Sequence, residues 1–207
     1  MPQITDIKLQ RNKKRFNIYL DEKFAFGIDA ETLAKADLKI NQIISEEKVQ
    51  ELVKEDDFLK AYERVLKFFS YRPRSEKELH DWFKRKEVGE ETQKLILKKL
   101  ESLGFINDKE FAKWWIEQRK TFHPGGQRLL KLELFKKGIS REIVDSILTE
   151  EGPVDELSVA KKVVEKKLKV WRGLPKEALR RKLTGVLARR GFSWDIIKEI
   201  LKDETDR

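Results

Sequence analysis

A six-residue pattern occurs three times in this chain. The copies are Phe83-Lys84-Arg85-Lys86-Glu87-Val88, Leu134-Phe135-Lys136-Lys137-Gly138-Ile139 and Leu187-Ala188-Arg189-Arg190-Gly191-Phe192. The first and second begin 51 residues apart, the second and third 53. A period of that length marks tandem supersecondary units, an array of small bundles that each bury their own aromatic and aliphatic stripe. The same basic pair, followed by glycine in two of the three copies, suits the end of a helix. Lysine and arginine face the negative end of the dipole there, and glycine takes the left-handed turn that stops the ladder. The first copy has Glu87 at the glycine position, which predicts a different helix end in that unit.

Apolar spacing places three helices in each unit. In the first, Phe58, Tyr62, Val65, Leu66 and Phe69 share a face that Arg72-Pro73 closes. Ser75 with Glu78 forms a capping box ahead of Leu79, Trp82 and Phe83, and Ile96, Leu100 and Leu103 follow before Gly104. The second unit runs through Phe111, Trp115 and Phe122, breaks at His123-Pro124-Gly125-Gly126, and resumes with Leu130 and Leu134. Ser140 caps its last helix, with Ile143, Val144, Ile147 and Leu148. After a Gly152-Pro153 linker the third unit carries Val159, Val163, Val164 and Trp171, then Leu179, Leu183, Val186 and Leu187, then a Ser193-capped helix with Ile196, Ile197, Ile200 and Leu201.

The first thirty residues read differently. Ile7 and Leu9, then Phe16, Ile18 and Leu20, then Phe24, Phe26 and Ile28 alternate with polar residues, the period of half-buried strands. Arg11-Asn12-Lys13-Lys14 and Asp21-Glu22-Lys23 supply turns, and Ser45 stands ready as an N-cap. The predicted fold is mainly α: three tandem three-helix repeats in an elongated curved array, behind a small N-terminal antiparallel β meander. The predicted domains are residues 1–57, 58–107, 108–152 and 153–207.

Charge narrows the function. Residues 1–57 carry net −2, residues 58–152 net +5 and residues 153–207 net +6, so the excess of +9 lies on the helices. Such a surface draws nucleic acid or an acidic protein through its long-range field. A charge-rich solvated surface explains the same numbers without a partner. The densest stretch, Leu174–Trp194, holds Lys176, Arg180, Arg181, Lys182, Arg189 and Arg190 against one acid, Glu177. Arg72, Arg74, Arg119, Lys120, Arg128 and Lys131 gather near unit junctions. These twelve residues are the predicted partner- or DNA-binding set, although the basic pairs at helix ends also have a purely structural explanation.

Catalytic signatures are lacking. There are two histidines, His80 and His123, and no cysteine, so neither a zinc set nor a disulfide is indicated, and no cofactor or metal is expected. Gly125-Gly126 lacks the spacing of a phosphate-binding loop. The tryptophans Trp82, Trp115, Trp171 and Trp194 are expected in cores, with Trp114 the one candidate for an exposed role. No apolar run approaches a membrane span and no signal pattern opens the chain, so a cytoplasmic, monomeric binding protein rather than an enzyme is expected.

Four segments resemble the RecX family of regulatory proteins. Arg72-Pro73-Arg74-Ser75-Glu76-Lys77-Glu78-Leu79 is similar to the start of that family's first repeat. Leu103-Gly104-Phe105-Ile106-Asn107-Asp108-Lys109-Glu110-Phe111-Ala112, followed by Trp115 and Arg119, is similar to its next conserved segment. Gly126, Leu130, Glu133, Leu134, Lys137, Gly138 and Ile139 match its middle repeat, and Arg189-Arg190-Gly191-Phe192-Ser193 its closing motif. The resemblance covers residues 58–203, with the strands resembling an extension found in some members. It implies a modulator that lies along the RecA–DNA filament and restrains ATP hydrolysis, strand exchange and filament growth in recombination, repair and the SOS response. Single- or double-stranded DNA is a further candidate partner for the basic surface. Each unit also has the outline of a helix-turn-helix, which leaves a stand-alone DNA-binding protein as the alternative.

Overall fold

The computed structural model describes residues 1–11, 13–150 and 155–205, except for the side chains of 204 and 205. Asn12 of the first expected turn and the Gly152-Pro153 linker lie outside the described residues. Three strands, β1 (Ile4–Leu9), β2 (Arg15–Leu20) and β3 (Lys23–Asp29), lead into α1 (Ala30–Lys35), α2 (Glu46–Ser70), α3 (Glu76–Arg85), α4 (Glu90–Ser102) and α5 (Asp108–Phe122). Then come α6 (Gln127–Lys136), α7 (Arg141–Glu150), α8 (Glu156–Leu168), α9 (Lys176–Arg189) and α10 (Trp194–Thr205). The contacts divide into two compact bodies. One is Met1–Arg72 with Lys86–Leu103, and the other is Pro73–Arg85 with everything from Gly104 onward.

In the first body the strands form one antiparallel sheet in the order β1-β2-β3. Ile4, Ile18, Phe26, Ile28, Leu38, Ile44 and Leu52 bury one face of it. Simple alternation puts Phe24 beside Phe26, but the register shifts: Ile18 pairs with Phe26 while Tyr19 pairs with Phe24. This bulge at Ala25 turns Phe24 to the face opposite Phe26. There it meets Tyr19 edge-on, 6.0 Å between centroids, and is 59% exposed. Asp29 ends β3 and caps α1, accepting hydrogen bonds from the amides of Glu31 and Thr32. Ser45 caps α2 by accepting from the Lys48 amide at 3.2 Å. That helix runs without a break for 25 residues. Midway along it the buried Asp56 accepts from Arg15 of β2 at 2.6 Å and pairs with Lys60 at 2.5 Å, so a satisfied charge cluster ties sheet to helix.

In the second body two three-helix repeats have separate cores. Phe111, Ala112, Ile116, Leu134, Ile139, Val144, Ile147 and Leu148 form one. Ala160, Val163, Val164, Leu183, Leu187, Phe192, Ile197, Ile200 and Leu201 form the other. Asn107, Ser140, Asp155 and Ser193 cap α5, α7, α8 and α10. The repeated pattern builds the same stop twice. Gly138 has φ 87° and Gly191 φ 78°. The amide of the next residue reaches back to close the helix, Ile139 to the Leu134 carbonyl at 3.1 Å and Phe192 to the Leu187 carbonyl at 3.2 Å.

Successive repeats join through these stops. At one joint the Ser75 hydroxyl donates to the Lys137 carbonyl at 2.7 Å, and Lys137 forms an ion pair with Glu78. At the next, the Gly126 amide donates to the Arg190 carbonyl at 2.8 Å. Lys137 and Arg190 are equivalent positions of the repeat, as are Ser75 and Gly126, the residues that precede α3 and α6. The contact is close: a β-carbon on Gly138 would lie 2.5 Å from Cβ of Lys77, and one on Gly191 2.5 Å from Cβ of Leu129. Glycine is therefore required twice over at these two positions, by backbone angle and by space.

Glu87, at the matching place in the first repeat, adopts the same left-handed backbone with φ 51°. The helix end expected to differ there keeps the left-handed turn, at an exposed residue, while the return amide bond that closes the other two helices is found at Ile139 and Phe192.

Candidate partner-binding surface

The predicted cations fall into three groups and a remainder. On α9 the exposed Lys176, Arg180, Arg181 and Lys182 follow Pro175, which caps the helix without a side-chain bond. Arg181, Gly185 and Arg189 occupy one line at four-residue spacing. The Arg189 guanidinium lies over the bare Cα of Gly185, 3.2 Å from where a β-carbon would stand. Lys182 instead sits 5.4 Å from the ring centre of Trp171, half-buried against the third core. Lys176 has contacts of its own.

The second group borders a depression between α6 and the start of α10. Arg128 and Arg189 line it together with Leu132 and Trp194. Its neighbouring lobe adds Lys131 and Phe135. Lys131 pairs with Asp145 at 2.9 Å, and that ammonium holds the Asp145 carboxyl below its usual value, first by hydrogen bonding and then by charge. Leu132 is 49% and Trp194 56% exposed. The core position expected for Trp194 is not the one observed. It is the first residue of α10, so no preceding turn lies beneath its indole for the ring to cover. Trp82 is buried, and Trp114 and Trp115 pack side by side against Phe111 and the second core.

Arg119 and Lys120 belong to a third place, a groove between α5 and α8. Arg119 reaches Glu133 at 2.6 Å and stacks 4.6 Å over Trp115, whose indole N–H donates to the same carboxylate at 3.0 Å. Lys120 pairs with Glu117 at 3.1 Å. Arg190 is a joint residue: besides its carbonyl bond, its guanidinium donates to the Pro124 carbonyl at 2.5 Å. Arg72 and Arg74 are half-buried with partners of their own.

Two features of this surface went unread in the sequence. One is the exposed Trp194. The other is a row of α8 lysines, Lys162, Lys166 and Lys169, beside the groove. Their spacing of four and three, one helical face, was the available signal.

The second body thus defines a class, a helical-repeat protein with cations displayed on several faces. Among the described residues no helix is long and apolar enough to cross a membrane. Four family descriptions match in order. Regulatory protein RecX N-terminal domain covers residues 2–45, and the first, second and third RecX three-helix domains cover 61–100, 107–148 and 154–201. The regulatory protein RecX of Listeria welshimeri is 33% identical over 205 residues, 99% of this chain and 76% of the relative. That of Bacillus subtilis strain 168 is 36% identical over 198 residues, 95% and 75%. A crystal structure of a regulatory protein RecX superposes with TM-score 0.65 at 30% identity, covering 98% of this chain and 100% of that one. RecX from Lactobacillus salivarius gives 0.58 at 28%, covering 72% and 97%. The chain belongs to the RecX family of regulatory proteins.

Proposed function

We propose that this protein binds the RecA–DNA filament and restrains RecA's ATP hydrolysis, strand exchange and filament growth. The observation that carries the reading is family membership along nearly the whole chain, a family named for regulation and, by its name, associated with RecA. The exposed cations of α9 supply the contact: Arg180, Arg181 and Lys182 have no internal joint to maintain, and an anionic filament surface complements them. The decisive measurement is RecA's DNA-dependent ATPase titrated with this protein. Inhibition at or below one protein per RecA is expected; an unchanged rate throughout that range overturns the reading.

A second reading, direct DNA binding, draws on the depression around Trp194. An exposed indole between Arg128 and Arg189 offers a stacking face beside phosphate-binding charge. It predicts affinity for single-stranded DNA without RecA, falling steeply as salt rises. Trp194→Ala is then expected to weaken that affinity while leaving its salt slope nearly intact.

A further inference from the structure

The groove between α5 and α8 lies outside both surfaces just described. It encloses about 530 Å³ between the second and third repeats, within one compact body. Its floor is aliphatic, made of Ile116, Leu129, Leu130, Leu148 and Val159. Its rim is cationic. Lys162, Lys166 and Lys169 run along one wall, and Arg119 and Lys120 stand on the other. Two carboxylates, Glu133 and Glu165, also line it, so among the described residues five cations against two acids leave a net +3. Glu133 already serves Arg119 and Trp115, and Lys120 is paired with Glu117. The α8 lysines face the groove as exposed ammoniums.

We infer that this groove docks a short acidic peptide segment whose aliphatic side chains seat on the floor while its carboxylates meet the lysine row. The chemistry selects that occupant. A nucleic-acid strand would satisfy the cations, but base stacking requires aromatic faces, and no Trp, Tyr or Phe is among the described lining residues. A purely apolar helix would satisfy the floor and leave the lysine row unanswered. Acidic residues interleaved with leucine or isoleucine satisfy both. The inference goes beyond the RecA reading and does not depend on it, because its test contains no RecA.

The probe is a fluorescein-labelled peptide a dozen residues long, alternating glutamate with leucine, followed by fluorescence anisotropy on the full chain. Three comparisons accompany it: the same peptide with serine for leucine, an oligothymidine of equal length as competitor, and two protein variants. The variants are Lys162→Glu/Lys166→Glu/Lys169→Glu and, as control, Arg180→Glu/Arg181→Glu/Lys182→Glu. All six positions are exposed or nearly so, and circular dichroism checks that helicity is kept. Saturable binding is expected, weakened about tenfold or more by the α8 reversal and by serine, and changed about twofold or less by the α9 reversal. Hydrogen exchange is expected to slow in residues 116–130 and 159–169 on binding. Absence of saturation overturns the inference. So does equal affinity for the serine peptide, which reports charge alone, or displacement by oligothymidine as effective as by unlabelled peptide. Loss through α9 rather than α8 moves the site elsewhere and overturns it as well.

Discussion

The hydroxyl of Ser75 lies 2.7 Å from the carbonyl oxygen of Lys137, sixty-two residues further along the chain. The Ser75 hydroxyl oxygen in turn accepts the Glu78 amide at 3.2 Å, so one buried side chain caps α3 and fastens it to the end of α6. Ser75→Ala removes a cap and leaves the Lys137 carbonyl short of a donor. A loss of about 1–3 kcal/mol in unfolding free energy is expected by urea denaturation. A loss under about 0.5 kcal/mol, the scatter of ordinary surface changes, contradicts this account of the joint.

The three helix stops offer an internal control. Gly138→Ala and Gly191→Ala each impose a left-handed alanine and a β-carbon 2.5 Å from another side chain, so each is expected to cost about 2 kcal/mol or more. Glu87→Gly relieves the left-handed strain at the cost of unfolded-state freedom, and is expected to be neutral or to stabilise by up to about 1 kcal/mol. Thermal melts of the three variants decide; a common sign for all three contradicts it.

Arg190 and its neighbours on α9 separate stability from binding. Arg190→Ala forfeits the guanidinium bond to Pro124, and about 1–2 kcal/mol of stability is expected to go with it. Reversal of Arg180, Arg181 and Lys182 is expected to leave the denaturation midpoint in place and to relax inhibition of RecA's ATPase. Paired melts and ATPase titrations test both halves, and retained inhibition by the α9 variant sends the contact to another face.

Two aspartates predict opposite responses to acid. Burial disfavours the Asp29 anion, but the Thr32 amide and hydroxyl and the Glu31 amide outweigh it and hold the pKa below the usual value. Its stabilisation is complete above the ordinary aspartate pKa and is lost as pH falls through the lower folded value. Burial dominates at Asp108 and raises its pKa, despite the hydrogen bond it accepts from the Glu76 amide. The folded state takes up that proton first, so stability is gained as pH falls through the raised value. Denaturation midpoints from neutral pH downward are expected to fall less steeply in Asp29→Asn and more steeply in Asp108→Asn than in the parent chain.

The repeats, their caps and the strand region were legible because period and capping chemistry are local. Phe24 was not, because a bulge at Ala25 is set by pairing between strands and leaves no mark on alternation. Trp194 matched a core stripe by spacing, yet a helix's first residue has no turn beneath it to cover. Composition located the cations but could not sort them: Arg119 and Arg190 hold internal partners contributed by residues 14 and 66 positions away, whereas Arg180 and Arg181 hold none of that kind among the described residues. The α8 lysines were visible as a helical face and gained meaning only once the third repeat stood beside the second.

The joint chemistry gives the tandem a direction. Ser75 and Gly126 each offer a hydrogen to the repeat that follows; Pro175, preceding α9 in the last repeat, has neither hydroxyl nor amide hydrogen to offer. Glu87 carries in the first repeat the bulk that a preceding neighbour would exclude. An additional copy inserted between the existing ones would find both halves of the connection ready. The second repeat thus gives a hydrogen at one end of α6 and receives one at the other, so the linkage is polar in the manner of plug and socket.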